Sequence, residues 1–230
     1  MFFYKKYLAI LTAYLILSSF PGHTSQERTH KEQIIPVKII IDQYFMRNFN
    51  EIRTKDRTAL PNPSVVTPEN FARDIIEQLS ARYKQFGIHF LPLSVERISL
   101  KERVLLDVEY MNVLKQYSCD SAKLLIGLTG AAFVSTSAGD GEFVVVVGGA
   151  DRGISRLFSQ FASLGIIRNP QMDIENMLNT LDHEMRHIFN ATHKKEGVLN
   201  ETEQKTFRHE GKLAVQKNRL QTFTCIEPGR

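Results

Sequence analysis

The residues most able to do chemistry lie in one short stretch, His183-Glu184-Met185-Arg186-His187, followed by His193. In an α-helix, residues four apart sit one turn apart on the same face, so His183 and His187 can turn their imidazoles toward one ion. Glu184 is displaced from His183 by about 100° around the helix axis, which aims its carboxylate beside the ion and not at it. Neutral imidazoles suit zinc, and three protein ligands leave a fourth position open for water. Water in that position has a pKa of about 7, and the ion polarises a scissile carbonyl. Glu184 is therefore the expected general base, passing its proton on to a leaving amine.

A bare HExxH is only moderately specific, because two histidines can sit harmlessly on a surface helix. His193 sharpens it, since three of the seven histidines then fall within positions 183–193. For His193 to reach the same ion, the helix must stop soon after His187 and the chain must turn back. Asn190 stands at that point, and asparagine is second only to glycine in tolerating a left-handed helix end. The expected cofactor is one catalytic zinc ion held by His183, His187 and His193.

These side chains need a scaffold. Ile174, Met177, Leu178, Leu181, Met185 and Ile188 recur at helical spacing, which puts the histidines on a helix beginning near Asp173. Upstream, residues 34–44 are rich in β-branched side chains and predict a first strand. Charges and three prolines make 50–68 a loop. Thr67-Pro68-Glu69 supplies an N-cap, a first-turn proline and an early acid, and Phe71, Ile75, Ile76, Leu79, Tyr83 and Phe86 continue a helix that Gly87 ends. A second strand follows over 88–98, a helix within 101–118, a buried strand over 122–128 and a loop over 130–141. Residues 143–147 (FVVVV), closed by glycines, form the strongest strand signal. The glycines around Asp151-Arg152 read as a turn, Phe158 and Phe161 as core, and 200–218 as a short helix.

The chain has 230 residues, 43% hydrophobic and 23% charged, so it falls in the globular range. Residues 1–24 read as a secretory signal peptide, with Lys5 and Lys6 ahead of an apolar run over 7–17 and then Ser18, Ser19, Pro21 and Gly22. That run is short for a bilayer span. An uncleaved N-terminal anchor remains the alternative, since no Ala-x-Ala site is present. Residues 25–230 are then one exported domain, secreted or periplasmic, with no stable membrane insertion after cleavage and a monomeric state expected.

Two cysteines, Cys119 and Cys225, form an even count in an exported chain and suggest one disulfide; two unpaired core cysteines are the alternative. The net charge of +4 is mild and well dispersed, so nucleic acid is not an implied partner.

The segment HEMRHIFNATH (183–193) resembles the elongated zinc motif HExxHxxGxxH of the metzincin metallopeptidases, with Asn190 in place of glycine. The resemblance extends upstream and looks most like the adamalysin branch: VKIIIDQYF (37–45) is similar to its first strand and NFARDIIEQLSARYKQFGIHFLPLSVERI (70–98) to its long helix and second strand. CDSAKLLIGLTG (119–130) is similar to the strand before the edge strand, and GEFVVVVGGA (141–150) to the edge strand itself. The resemblance implies an α+β (α/β) fold: a twisted, mixed five-stranded sheet with a long backing helix and an active-site helix carrying HExxH. It implies a protein or peptide substrate, bound as an extended strand along Val144, Val145, Val146 and Val147.

Three departures stand out. Lys194 occupies the position of the branch's aspartate, Asn190 replaces the glycine, and no methionine follows Met185. Aligned on Cys225-Ile226-Glu227, the family's Met-turn would have Glu227 as its methionine, a carboxylate near the metal floor. A catalytically silent metzincin-fold zinc-binding protein is therefore a second reading. A third is a zinc peptidase outside the metzincins, with Glu196, Glu201 or Glu210 as third ligand.

Overall fold

The computed structural model describes residues 32–135, 144–161, 169–193 and 200–229. The expected signal peptide lies outside the described residues, among which no helix is long and apolar enough to cross a membrane.

The chain enters through β1 (Gln33–Asp42), where Ile39, Ile40 and Ile41 are fully buried. The strand is central, pairing in parallel with β2 (Ile88–Ile98) on one side and β4 (Leu124–Thr129) on the other. Beyond β4 lie β8 (Arg156–Gln160), also parallel, and β7 (Gly148–Asp151), antiparallel to β8. The mixed five-stranded sheet thus runs β2-β1-β4-β8-β7, with β7 at its edge.

Alternate residues of the inner strands feed two separate cores, as the period of two in a strand requires. Ile39 and Ile41 of β1 and Ile126 and Leu128 of β4 join Phe71, Ile75, Leu79, Leu178, Leu181 and Met185 on one face. Ile40, Leu125 and Phe158 face the other way, onto Tyr110, Leu114 and Phe133. The first face is covered by three helices: α1 (Gln43–Lys55), the long backing helix α2 (Pro68–Tyr83) and α4 (Pro170–Ile188). On the second face sit α3 (Asp107–Lys115) and a small sheet of β3 (Val104–Leu106), β5 (Ala132–Ser135) and β6 (Val144–Val146). A last helix, α5 (Glu201–Asn218), packs against α4.

Local signals account for much of this. Thr67 Oγ1 accepts from the Asn70 amide to cap α2, Pro68 opens it, and Gly87 leaves it at φ 69°. Asn200 and Glu203 form a reciprocal capping box at the start of α5, each bond 2.9 Å.

Several expectations need correction, among them Gly148 and Gly149 beside Asp151, which form part of strand β7 and not a turn. The first strand stops at Asp42, whose Oδ1 accepts from the Tyr44 and Phe45 amides at 2.8 Å each and starts α1. Part of the expected 50–68 loop is therefore helix, with Phe45, Phe49 and Ile52 buried at helical spacing. The loop over 130–141 contains β5. Most consequentially, the FVVVV segment is not the edge of the five-stranded sheet: Val144, Val145 and Val146 pair antiparallel with Ser135, Val134 and Phe133 in the small sheet. Val147 links the two sheets, its carbonyl accepting from the Gln160 amide at 2.8 Å.

The expected disulfide is present, joining Cys119 to Cys225 with Cα atoms 6.0 Å apart. Beside it, Arg156 is buried and donates to the carbonyls of Leu114 and Tyr117 at 3.1 Å each. The tail is thereby strapped to the sheet. Because the bridge closes a loop with a sequence separation of 106, a Cys119→Ser/Cys225→Ser double variant is expected to lose about 3–5 kcal/mol in urea unfolding, and reductant should then have no further effect on it.

Candidate metal centre

The centre is built on the last two turns of α4 and the turn that ends it. Asn169 accepts from the Met172 amide and Pro170 opens the helix, while Ile174, Met177, Leu178, Leu181, Met185 and Ile188 bury the face toward the sheet. That burial fixes the rotation of the helix, so His183 and His187 emerge on its opposite flank.

Helix α4 ends in a Schellman turn. Asn190 adopts φ 68°, its amide donates to the His187 carbonyl at 2.9 Å, and the Ala191 amide donates to the Arg186 carbonyl at 3.0 Å. The remaining carbonyls of the helix end are capped from outside: Gln221 Nε2 donates to Ile188 O at 2.7 Å and Asn218 Nδ2 to Phe189 O at 2.9 Å. The reversal brings His193 back to the helix it has just left.

The three imidazoles converge. His183 Nε2 lies 3.3 Å from His187 Nε2 and 2.9 Å from His193 Nε2, and the ligand nitrogens all fall within 4.8 Å of one another. Two nitrogens bound about 2.0–2.1 Å from one tetrahedral zinc stand roughly 3.3 Å apart, so the spacing fits that ion. His187 Nδ1 is engaged by the Ala191 carbonyl at 2.8 Å, which places the proton there and leaves Nε2 bare toward the centre. The Schellman turn thus delivers His193 and also orients His187. Among the described residues this is the one cluster of histidines, cysteines and carboxylates able to hold a metal.

Burial, then the neighbouring imidazoles, push His183 down to about 3, and burial lowers His187 and His193. All three are therefore neutral at physiological pH, the state a metal requires. Burial alone pushes Glu184 up to about 8. A neighbouring divalent cation would reverse that direction and favour the carboxylate.

Glu184 is 8% exposed and lies against the edge strand. A Cβ added to Gly148 would come within 2.7 Å of Thr180 Cγ2 and 2.8 Å of Glu184 Cγ, so only glycine lets β7 approach α4 this closely. Gly148 was legible only as a glycine after a strand signal. The expected substrate strand is placed differently: Val144, Val145 and Val146 pair within the small sheet, Val147 leads into β7, and the edge beside Glu184 is Gly148–Asp151.

Glu227 is also placed differently from the expectation. Its carboxylate accepts from the Cys119 amide at 3.1 Å, beside the disulfide, and takes no part in the metal-ligating cluster. The tail returns to the sheet through the Cys119–Cys225 bridge, which holds Glu227 there. Of the alternative third ligands, Glu201 and Glu210 are not in that cluster, and Glu196 lies outside the described residues.

No protein-family profile and no curated protein sequence matches the chain. In structure it is similar to an archaemetzincin from Methanopyrus kandleri, with a TM-score of 0.51 and 13% identity over 83% of this chain and 97% of that one. An archaemetzincin from Archaeoglobus fulgidus aligns with a TM-score of 0.34 and 15% identity, covering 67% of this chain and 77% of its own. The first likeness establishes a metzincin-like fold. The adamalysin branch is not supported: the similar structures are archaemetzincins, and Lys194 stands where that branch has its aspartate.

Two outcomes follow for the metal-free protein. Asn190→Gly should unfold within about 1 kcal/mol of wild type, whereas Asn190→Val should lose about 1–2 kcal/mol from the left-handed conformation alone and bind zinc more weakly, read by denaturation and chelator competition. Because the Glu184 carboxyl is raised in the folded state, its contribution to stability is complete below the unfolded value near 4.5 and is lost as pH rises through about 8. Glu184→Gln should therefore become progressively more stable than wild type across that window, measured by thermal unfolding in chelator.

Proposed function

We propose that this protein is an exported zinc-dependent endopeptidase of the metzincin-like fold. The observation that carries this reading is the convergence of His183, His187 and His193 on one point beside a buried glutamate, with a sheet edge alongside. The archaemetzincin-like fold and the residue types agree with it. Export is supported by the basic-apolar leader over 1–24 and by a disulfide, which persists in oxidising compartments.

His183, His187 and His193 would hold the ion, one per chain, leaving a fourth position open. When bound, zinc supplies Lewis acidity to the scissile carbonyl and lowers the pKa of water. Glu184 takes the proton of the attacking water and returns it to the leaving amine, its apolar burial keeping bulk water from competing. An extended peptide would add itself to the edge of β7, whose residues Gly148–Asp151 pair only with β8 among the described residues. A groove of about 670 Å³ between α3 and β7, lined by Val108, Met111, Ala150 and Phe158 among others, lies on the face of the sheet away from α4 and offers room for the alternate side chains that point away from the metal.

The silent-scaffold reading rests on a carboxylate under the metal and on the missing Met-turn, and the first of these grounds falls away. Glu227 sits on the Cys119 amide instead, so a zinc peptidase is the reading retained.

The direct test uses zinc-loaded protein and an unstructured protein substrate. Wild type should cleave it, and Glu184→Gln should lower kcat/KM by about 10²–10⁴-fold while keeping one zinc per chain. Wild type that holds zinc yet cleaves nothing in a broad peptide library would refute the proposal.

A further inference from the structure

Phe207, on α5, is 4% exposed, and its ring centroid lies 4.3 Å from that of His183, 5.0 Å from His187 and 4.6 Å from His193. A single phenyl ring therefore packs against all three imidazoles. Its direction of approach follows from helix geometry. Glu184 and Arg186 are two residues apart, about 200° around α4, so they mark opposite flanks with His183 and His187 on the arc between.

On the Glu184 flank lies β7, with Gly148 against the glutamate. The Arg186 flank belongs to α5. Arg186 Nη1 donates to the Arg208 carbonyl at 2.6 Å, and its stem fills the space left by Gly211, where a Cβ would lie 2.7 Å from Arg186 Cδ. Phe207 precedes Arg208 on this same helix, so the ring belongs to the element packed on the Arg186 flank of α4.

We infer that Phe207 is the floor of the metal centre, a positioning residue that fixes the mutual angles of the three imidazoles and keeps water from beneath them. The role suits the residue: a phenyl ring has no ligand atom, cannot compete for the ion, and presses on imidazole rings with favourable aromatic geometry. Helix α5 thereby becomes part of the site. Arg186 and Gly211 set how deeply it seats, and the Asn200–Glu203 capping box sets where it starts. Groups that orient metal ligands without touching the metal typically control affinity by 10–100-fold.

The inference rests on the metal centre but not on peptidase activity, and its test reads the metal directly. Full-length Phe207→Ala and Phe207→Leu are compared with wild type by chelator competition for zinc, by the visible absorption of the cobalt-substituted protein, and by circular dichroism of the metal-free form. Phe207→Ala should bind zinc about 10–100-fold more weakly with an altered cobalt spectrum and unchanged helix content, while Phe207→Leu stays within about threefold. Should Phe207→Ala not fold, Phe207→Val takes its place, with at least a threefold loss expected.

Wild-type zinc affinity and cobalt spectrum in the folded alanine or valine variant would overturn the inference. So would a gain in affinity or cleavage, which would make the ring a cover over the open position and not a floor. A wild type with normal zinc and cobalt binding but no cleavage refutes the peptidase reading alone. No zinc binding by wild type would remove both.

Discussion

Everything at this centre depends on three imidazole nitrogens meeting within bonding reach of one point, a requirement that a helix alone cannot satisfy. Two histidines four apart share a helix face, but the third must come from chain that has already left the helix. The reversal at Asn190 meets that demand through a left-handed residue and two backbone hydrogen bonds. One product of the turn, the Ala191 carbonyl, also holds His187 Nδ1. Ligand delivery and ligand orientation thus come from the same five-residue stretch, and this couples any distortion of the turn to two of the three ligands.

Around that turn the molecule supplies walls. The sheet side fixes the rotation of α4 through a continuous apolar face, β7 closes on Glu184 because Gly148 has no side chain, and α5 closes from the far flank with Phe207. The consequence for chemistry is electrostatic. Imidazoles packed in apolar surroundings stay neutral and ready for a cation, while a carboxyl in the same surroundings is costly to ionise until the cation is beside it.

Legibility in the sequence followed locality. The helix over Pro68–Tyr83 and the strand over Ile88–Ile98 could be read because caps, Gly87 and apolar spacing agree with their tertiary environment. The strand Arg156–Gln160 could not, since three of its five buried residues are polar and reveal nothing until their partners are in place: Ser159 donates to the Met177 carbonyl at 3.0 Å and Gln160 to the Ala131 carbonyl at 2.6 Å. The valine run misled in the opposite sense. Its β propensity is real, but the edge beside the glutamate had to be glycine-rich for close approach, and the valines went to a neighbouring sheet.

By itself, then, the sequence determined which three histidines could share one ion, the glutamate beside them and the turn between them, because helical periodicity and the φ tolerance of asparagine act over a few residues. Only the tertiary structure decided which strand edge lies beside Glu184, that Glu227 belongs to the disulfide end of the sheet, and that an aromatic residue fourteen positions beyond His193 presses on all three histidines. Those contacts join segments far apart in the chain, and no local preference encodes them.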